Sequence, residues 1–174
     1  IKLDRNKDNQ AVLSPDFYSR VTADGGLQMK VGETDDPKAF AKTKLQPGKW
    51  YYIAWVYKNQ HVRCYINGVL DNEFDVPKVE TFTKLNMSWG AFEGYVREIR
   101  LYNKALTAFQ VADNLYIETP DNPDLLFYAP LDKKTGIKDV SKKQNTIKVY
   151  AAGSNDATEY NQSLITWSNE KFPE

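Results

Sequence analysis

One cysteine, one histidine and a formal net charge of zero are the scarcities that bound this chain of 174 residues. Cys64 has no partner for an internal disulfide, and in the alternation Val62, Cys64, Ile66 it reads as a small buried hydrophobe. His61, between Gln60 and Val62, reads as a surface turn residue; a single imidazole argues against multi-histidine zinc sites and serine or cysteine triads. Lys and Arg number 23, as do Asp and Glu, so no long-range field steers the protein to nucleic acid. No run approaches the ~20 apolar residues of a membrane span, and no signal peptide is apparent. The first residue is Ile1 and not Met, which reads as a processed or cut fragment. Neither G-x-x-x-x-G-K-[ST] nor G-x-G-x-x-G occurs, so the usual phosphate-cradling loops are missing.

Aromatic residues are plentiful, at 13% with 11 Tyr and 4 Trp. Residues 50–57, 62–70 and 95–102 are rich in the β-branched and aromatic residues that fit a pleated surface, and read as neighbouring antiparallel strands. Asn67-Gly68 is the sharpest local signal, because a two-residue hairpin needs φ > 0 at both central positions. In residues 50–57 both faces are apolar, which predicts a central strand covered on both sides. Earlier strands are predicted at 11–14, 17–21 and 27–32, with turns at Pro15-Asp16, Asp24-Gly25-Gly26 and Gln46-Pro47-Gly48. Residues 1–10 read as an edge or an entering loop. Thr107 is a candidate N-cap for a short helix over 108–115. Two prolines and several acids over 118–124 mark a linker. Beyond it, strands are predicted at 125–131 and 147–151, a polar turn at 139–145 and a closing segment at 164–167.

Three segments in series, Pro47-Gly48-Lys49-Trp50-Tyr51-Tyr52-Ile53-Ala54, Val62-Arg63-Cys64-Tyr65-Ile66-Asn67-Gly68 and Gly94-Tyr95-Val96-Arg97-Glu98-Ile99-Arg100-Leu101-Tyr102-Asn103-Lys104-Ala105-Leu106, resemble the signature blocks of laminin-G-like, concanavalin A-like jelly-roll domains. The resemblance spans about residues 10 to 115. One departure is Arg97, where the family often has the first member of an acidic pair. The tail resembles a small module that follows such domains in outer-surface proteins of Bacteroidetes; it also resembles the opening strand of another jelly roll. The expectation is an all-β, concanavalin A-like antiparallel β-sandwich over 1–118 that lacks an N-terminal strand, with a small C-terminal β module over 119–174 packed on it. An unpaired edge at 95–102 would be an aggregation hazard, so preceding chain or the tail strand must cover it.

The resemblance implies a non-catalytic glycan-binding module of a bacterial cell-surface or outer-membrane lipoprotein. Its partner would be a polysaccharide, with other surface glycan-utilisation proteins as further partners. A structural or protein-interaction module is the second reading. The third is a glycoside hydrolase, which needs a pair of carboxylates. Glu73-Phe74-Asp75-Val76-Pro77-Lys78 begins the E-x-D-x-x-E pattern and ends in Lys, so Glu73 and Asp75 read as solvated edge charges. Sugar rings have apolar C–H faces that stack on aromatic side chains. The candidate rings are Trp89, Trp55, Tyr57, Tyr65 and Tyr95, with Arg63 and Asn86 as hydroxyl partners, and Trp89 is favoured. Trp50, Trp55 and Tyr102 read equally as core. No cofactor is expected, with calcium left open: Asp16, Asp24, Asp35, Asp36, Asp71 and Asn72 supply hard oxygens, none in an EF-hand-like run.

Overall fold

The computed structural model describes residues 1–8, 10–15, 17–31, 39–78, 85–87, 92–116, 120–148 and 167–168, the side chains of 11–15, 17, 18, 30, 31 and 85–87 excepted. In chain order the elements are β1 (Lys2–Leu3), β2 (Gln10–Pro15), β3 (Phe17–Val21), β4 (Gly26–Val31), β5 (Phe40–Lys44), β6 (Ile53–Lys58), β7 (His61–Ile66), β8 (Val69–Asp75), β9 (Leu85–Met87), β10 (Gly94–Tyr95), β11 (Ile99–Tyr102), α1 (Ala108–Asp113) and β12 (Leu125–Ala129). They fall into two compact units, Ile1–Tyr95 with Ala105–Ile117, and Val96–Lys104 with Glu118–Glu174.

The first unit is an antiparallel sandwich. One sheet has the order β5-β4-β3-β2-β9, the other β6-β7-β8, and β1 pairs with β10. The apolar alternation of β7 turns Val62, Cys64 and Ile66 inward. There Cys64 and Ile66 join Leu3, Val21, Leu27, Ala41, Leu45 and Tyr51 in one core cluster, and Val62 joins Met29, Ala39, Phe74 and Val76 in a second. Fully burying a leucine such as Leu27, which has no exposed surface, contributes about 1.5 to 3 kcal/mol.

Local signals are realised where the chain can act on them alone. Asn67 and Gly68 have φ of 51° and 80°, which closes the β7–β8 hairpin from Ile66 to Val69. A Cβ on Gly68 would stand 3.3 Å from Ala112 Cα, so glycine also lets α1 approach the turn. Thr107 caps α1: its hydroxyl accepts from Gln110 N–H while the Gln110 side chain accepts from Thr107 N–H. The helix ends at Asp113, earlier than the predicted 115, and continues as a turn.

Several expectations are corrected. The strand predicted from residue 50 starts at Ile53, because residues 50 and 51 pair elsewhere: Trp50 bridges to Lys2, and Ile1 and Tyr51 exchange two backbone hydrogen bonds of 2.8 Å. Among the described residues β6 is an edge strand, with β7 at the centre of its sheet. The run 95–102 is two strands, β10 and β11, with partners β1 and β12. His61 opens β7, and the turn before it is Asn59-Gln60, with φ of 52° and 65°. β1 realises the edge alternative for residues 1–10, while β5 and β9 have no counterpart among the predicted strands. Of the predicted strand at 147–151, residues 147 and 148 are not in a strand and the rest lies outside the described residues.

Where the two sheets meet at β5 and β8, side chains substitute for a backbone ladder. Asp71 accepts from the N–H groups of Lys42 and Thr43 and from the Thr43 hydroxyl, and the Asn72 amide donates to Phe40 O at 2.7 Å. These bonds occupy backbone groups of an otherwise open edge.

In the second unit β11 pairs with β12 from Ile99↔Ala129 to Tyr102↔Leu125, with a bulge between Leu101 and Tyr102. The tail strand thus covers the β11 edge.

Candidate functional site

The sequence-named residues divide between the two faces of the three-stranded sheet. Directly opposed residues in antiparallel strands share a face. Trp55 opposes Cys64 and Tyr57 opposes Val62, which puts both rings on the core side; Val56 opposes Arg63 and Ala54 opposes Tyr65, which puts Arg63 and Tyr65 on the other. Trp55 is half-buried and packs against both core clusters. Its indole N–H donates to the Ser19 hydroxyl on β3 at 3.3 Å, and its ring meets Phe74 edge-on at 6.3 Å. It therefore bridges the two sheets. Tyr57 is half-buried against the second cluster.

Tyr65 is only 1% exposed, so its ring has no face to offer a sugar; it is a packing residue. Asn86 is on β9 opposite Ser14, its side chain outside the described residues, and all of Trp89 lies outside them too. The rings that do come together are Trp50 and Tyr95, with centroids 6.4 Å apart, beside Lys2. Trp50 reads as core because it begins an apolar run. Lys2 carries no local signal at all, since only cross-strand pairing brings it there.

The acids are spoken for. Glu73 and Asp75 lie two residues apart on β8, and His61 stands between them: Nδ1 is 2.8 Å from Asp75 Oδ1 and Nε2 is 3.3 Å from Glu73 Oε2. A glycosidase pair needs one carboxyl protonated and its partner ionised, a difference made by unlike environments. Here the two carboxylates share one imidazole and are 55% and 86% exposed, so their surroundings are alike. Asp24 accepts from Thr22 Oγ1, Gly26 N and Lys44 Nζ, and these bonds, Lys44 foremost, hold it well below the usual carboxylate range. Asp71 and Asn72 serve β5, while Asp16, Asp35 and Asp36 lie outside the described residues. Among the described residues no three His, Cys, Asp or Glu side chains gather to hold a metal ion. Burial pushes the Cys64 thiol up to about 12, so it remains protonated and unreactive at neutral pH.

In the second unit, Glu98 accepts from Arg100 at 3.0 Å and from the Tyr128 hydroxyl at 3.2 Å, while the Arg100 guanidinium lies 4.9 Å from the Tyr128 ring centroid. The carboxylate beside Arg97 thus fastens β11 to β12. The polar turn predicted at 139–145 is organised by Asp139. Its carboxylate accepts from the N–H groups of Tyr128 (3.0 Å), Ser141 (2.9 Å) and Asn145 (2.7 Å) and from the Asn145 amide (2.7 Å).

Among solved structures, the chain is similar to a candidate carbohydrate binding protein from Bacteroides ovatus, with TM-score 0.61 and 20% identity over 80% of this chain and 47% of that one. It thus spans about half the length of that relative. An S-layer domain-containing protein from Clostridium thermocellum matches with TM-score 0.32 and 16% identity over 66% of each chain. No curated protein sequence matches. No helix among the described residues is long and apolar enough to cross a membrane. A laminin-G-type family model, described as the concanavalin A-like lectin/glucanases superfamily, matches residues 1–112. The chain belongs to the concanavalin A-like lectin/glucanases superfamily, and its two-sheet antiparallel sandwich agrees with that.

Proposed function

We propose that this chain is a non-catalytic carbohydrate-binding module of a bacterial cell-surface protein. The observation that carries the reading is a lectin-type sandwich whose E-x-D carboxylates are both tied to His61 and not set apart as acid and nucleophile. The Bacteroides relative supports it by kind, since that protein is described as a candidate for carbohydrate binding. Outer-surface placement and work beside other glycan-utilisation proteins are parts of the same proposal. The contact residues we assign are Trp89, two residues beyond β9 in the sequence, and Asn86 on β9.

A protein-interaction module is the second reading, favoured by one observation. Val69, Leu70, Phe109 and Tyr116 are 70%, 46%, 75% and 80% exposed; the first two open β8, the last two lie on and just after α1, and those elements approach at Gly68 and Ala112.

A glycan array followed by calorimetry, with and without calcium, separates the two. Saturable binding to a plant or host polysaccharide, weakened at least about tenfold by Trp89→Ala, is expected. Silence of the folded chain across a broad panel would transfer the assignment to the interaction module.

A further inference from the structure

β1, β10 and the residues that lead into β6 place three side chains in one cross-strand row. Lys2 opposes Tyr95 on one side and bridges to Trp50 on the other. Its neighbours Ile1 and Leu3 face the first core cluster, Leu3 with no exposed surface. By the period-2 alternation of a strand, Trp50, Lys2 and Tyr95 therefore stand on the face turned away from that cluster. The row depends on Gly94, whose φ is 152° and where a Cβ would meet Lys2 O at 2.2 Å. Only glycine lets β10 come this close to β1.

Both rings are half-buried, their planes are inclined by 51°, and the Lys2 ammonium lies 5.3 Å from the Tyr95 centroid. Two rings inclined in this way form a wedge. A pyranose can lay its C–H face on one ring and its edge against the other, beside the Lys2 ammonium over the Tyr95 ring, which can pair with a charged substituent. We propose that Trp50, Lys2 and Tyr95 form a binding site for an acidic pyranose, a uronate unit of a glycan. The site rests on the carbohydrate-binding reading. The rings supply stacking that any pyranose could use; Lys2 supplies the preference for a carboxylate, and that preference weakens as salt rises.

The test is calorimetry of the full chain with trigalacturonate and with neutral galactotriose as probes, using wild type, Tyr95→Ala and Lys2→Met. Trigalacturonate is expected to bind wild type in preference to galactotriose. Tyr95→Ala should weaken it at least about tenfold, and Lys2→Met should remove the preference. Lys2→Met keeps the length and apolar stem of the side chain, so it reads out the site even if Tyr95→Ala does not fold. Trigalacturonate binding that survives Lys2→Met and a folded Tyr95→Ala overturns this site alone. Wild type that binds neither trigalacturonate nor any glycan on the array overturns both the site and the carbohydrate-binding reading.

Discussion

His61 has both ring nitrogens engaged with carboxylates, and only an imidazolium can donate from both. The neutral ring has one donor, so loss of the proton breaks one contact and leaves Glu73 and Asp75 less compensated. The hydrogen bond to Asp75, then that to Glu73, raise the histidine pKa above its ordinary 6.5. A raised folded-state pKa means that the stabilisation is fully present below pH 6.5 and is lost as pH rises through the folded-state value. The cluster is exposed, so salt should shrink the effect. Because His61 is the only histidine, its NMR titration is a single curve. The expected midpoint lies above 6.5, falls more in Asp75→Asn than in Glu73→Gln, and moves back toward the ordinary value in high salt. A midpoint at or below 6.5 in wild type would remove the ion-pair account.

Elements were legible where the instruction and its execution are neighbours in the chain. Asn67-Gly68 closes a hairpin because both residues accept positive φ, and Thr107 with Gln110 caps a helix three residues long in reach. Asn59-Gln60 closes a hairpin as tightly, yet Gln is not a residue that advertises positive φ, and His61 was misplaced as a result. β1, β5 and β9 exist through their partners: Lys2 reads Tyr95, Phe40 reads Gln28, and Leu85 reads Pro15. No local pattern encodes such pairings, and the Trp50, Lys2 and Tyr95 row was illegible for the same reason. The turn at 139–145 was seen as polar, but its anchor was not, because Asp139 reaches back to Tyr128 N–H on β12. Burial raises the Asp139 pKa, and the N–H donors of Tyr128, Asn145 and Ser141 together outweigh it, so the net shift is downward. A lowered folded-state pKa gives stability that is present above the ordinary value of 3.8 and lost as pH falls through the folded-state one. Asp139→Asn replaces an acceptor by an amide N–H that faces donors. It should reduce the exchange protection of the Tyr128, Ser141 and Asn145 amides by about 2 kcal/mol at neutral pH. The difference from wild type should narrow below about pH 4. Unchanged protection at neutral pH would show that the carboxylate does not hold the turn.

At the scale of the molecule, the family boundary and the folding boundary do not coincide. The family match ends at residue 112, and β11 lies inside it, yet Val96–Lys104 belongs with Glu118–Glu174. The reason is the ladder from Ile99↔Ala129 to Tyr102↔Leu125, reinforced where Tyr128 donates to Glu98 and covers Arg100, whose side chain is only 8% exposed. Removal of residues 120–174 would strip that partner away. An unpaired strand presents a row of N–H and C=O groups that a second chain can satisfy, and Glu98 and Arg100 would lose the ring packed over them. Truncation at residue 119 is therefore expected to lower the melting temperature and to produce concentration-dependent oligomers in light scattering. Addition of a peptide of residues 120–148, which carries β12 and the Asp139 turn, should restore the monomer. Tyr128→Phe keeps the ring over Arg100 and loses the hydroxyl's bond to Glu98, so it should cost about 1 kcal/mol and leave the monomer intact. A truncated chain that stays monomeric with an unchanged melting temperature would show that β11 needs no cover, and that the tail is an independent appendage and not the missing edge of the fold.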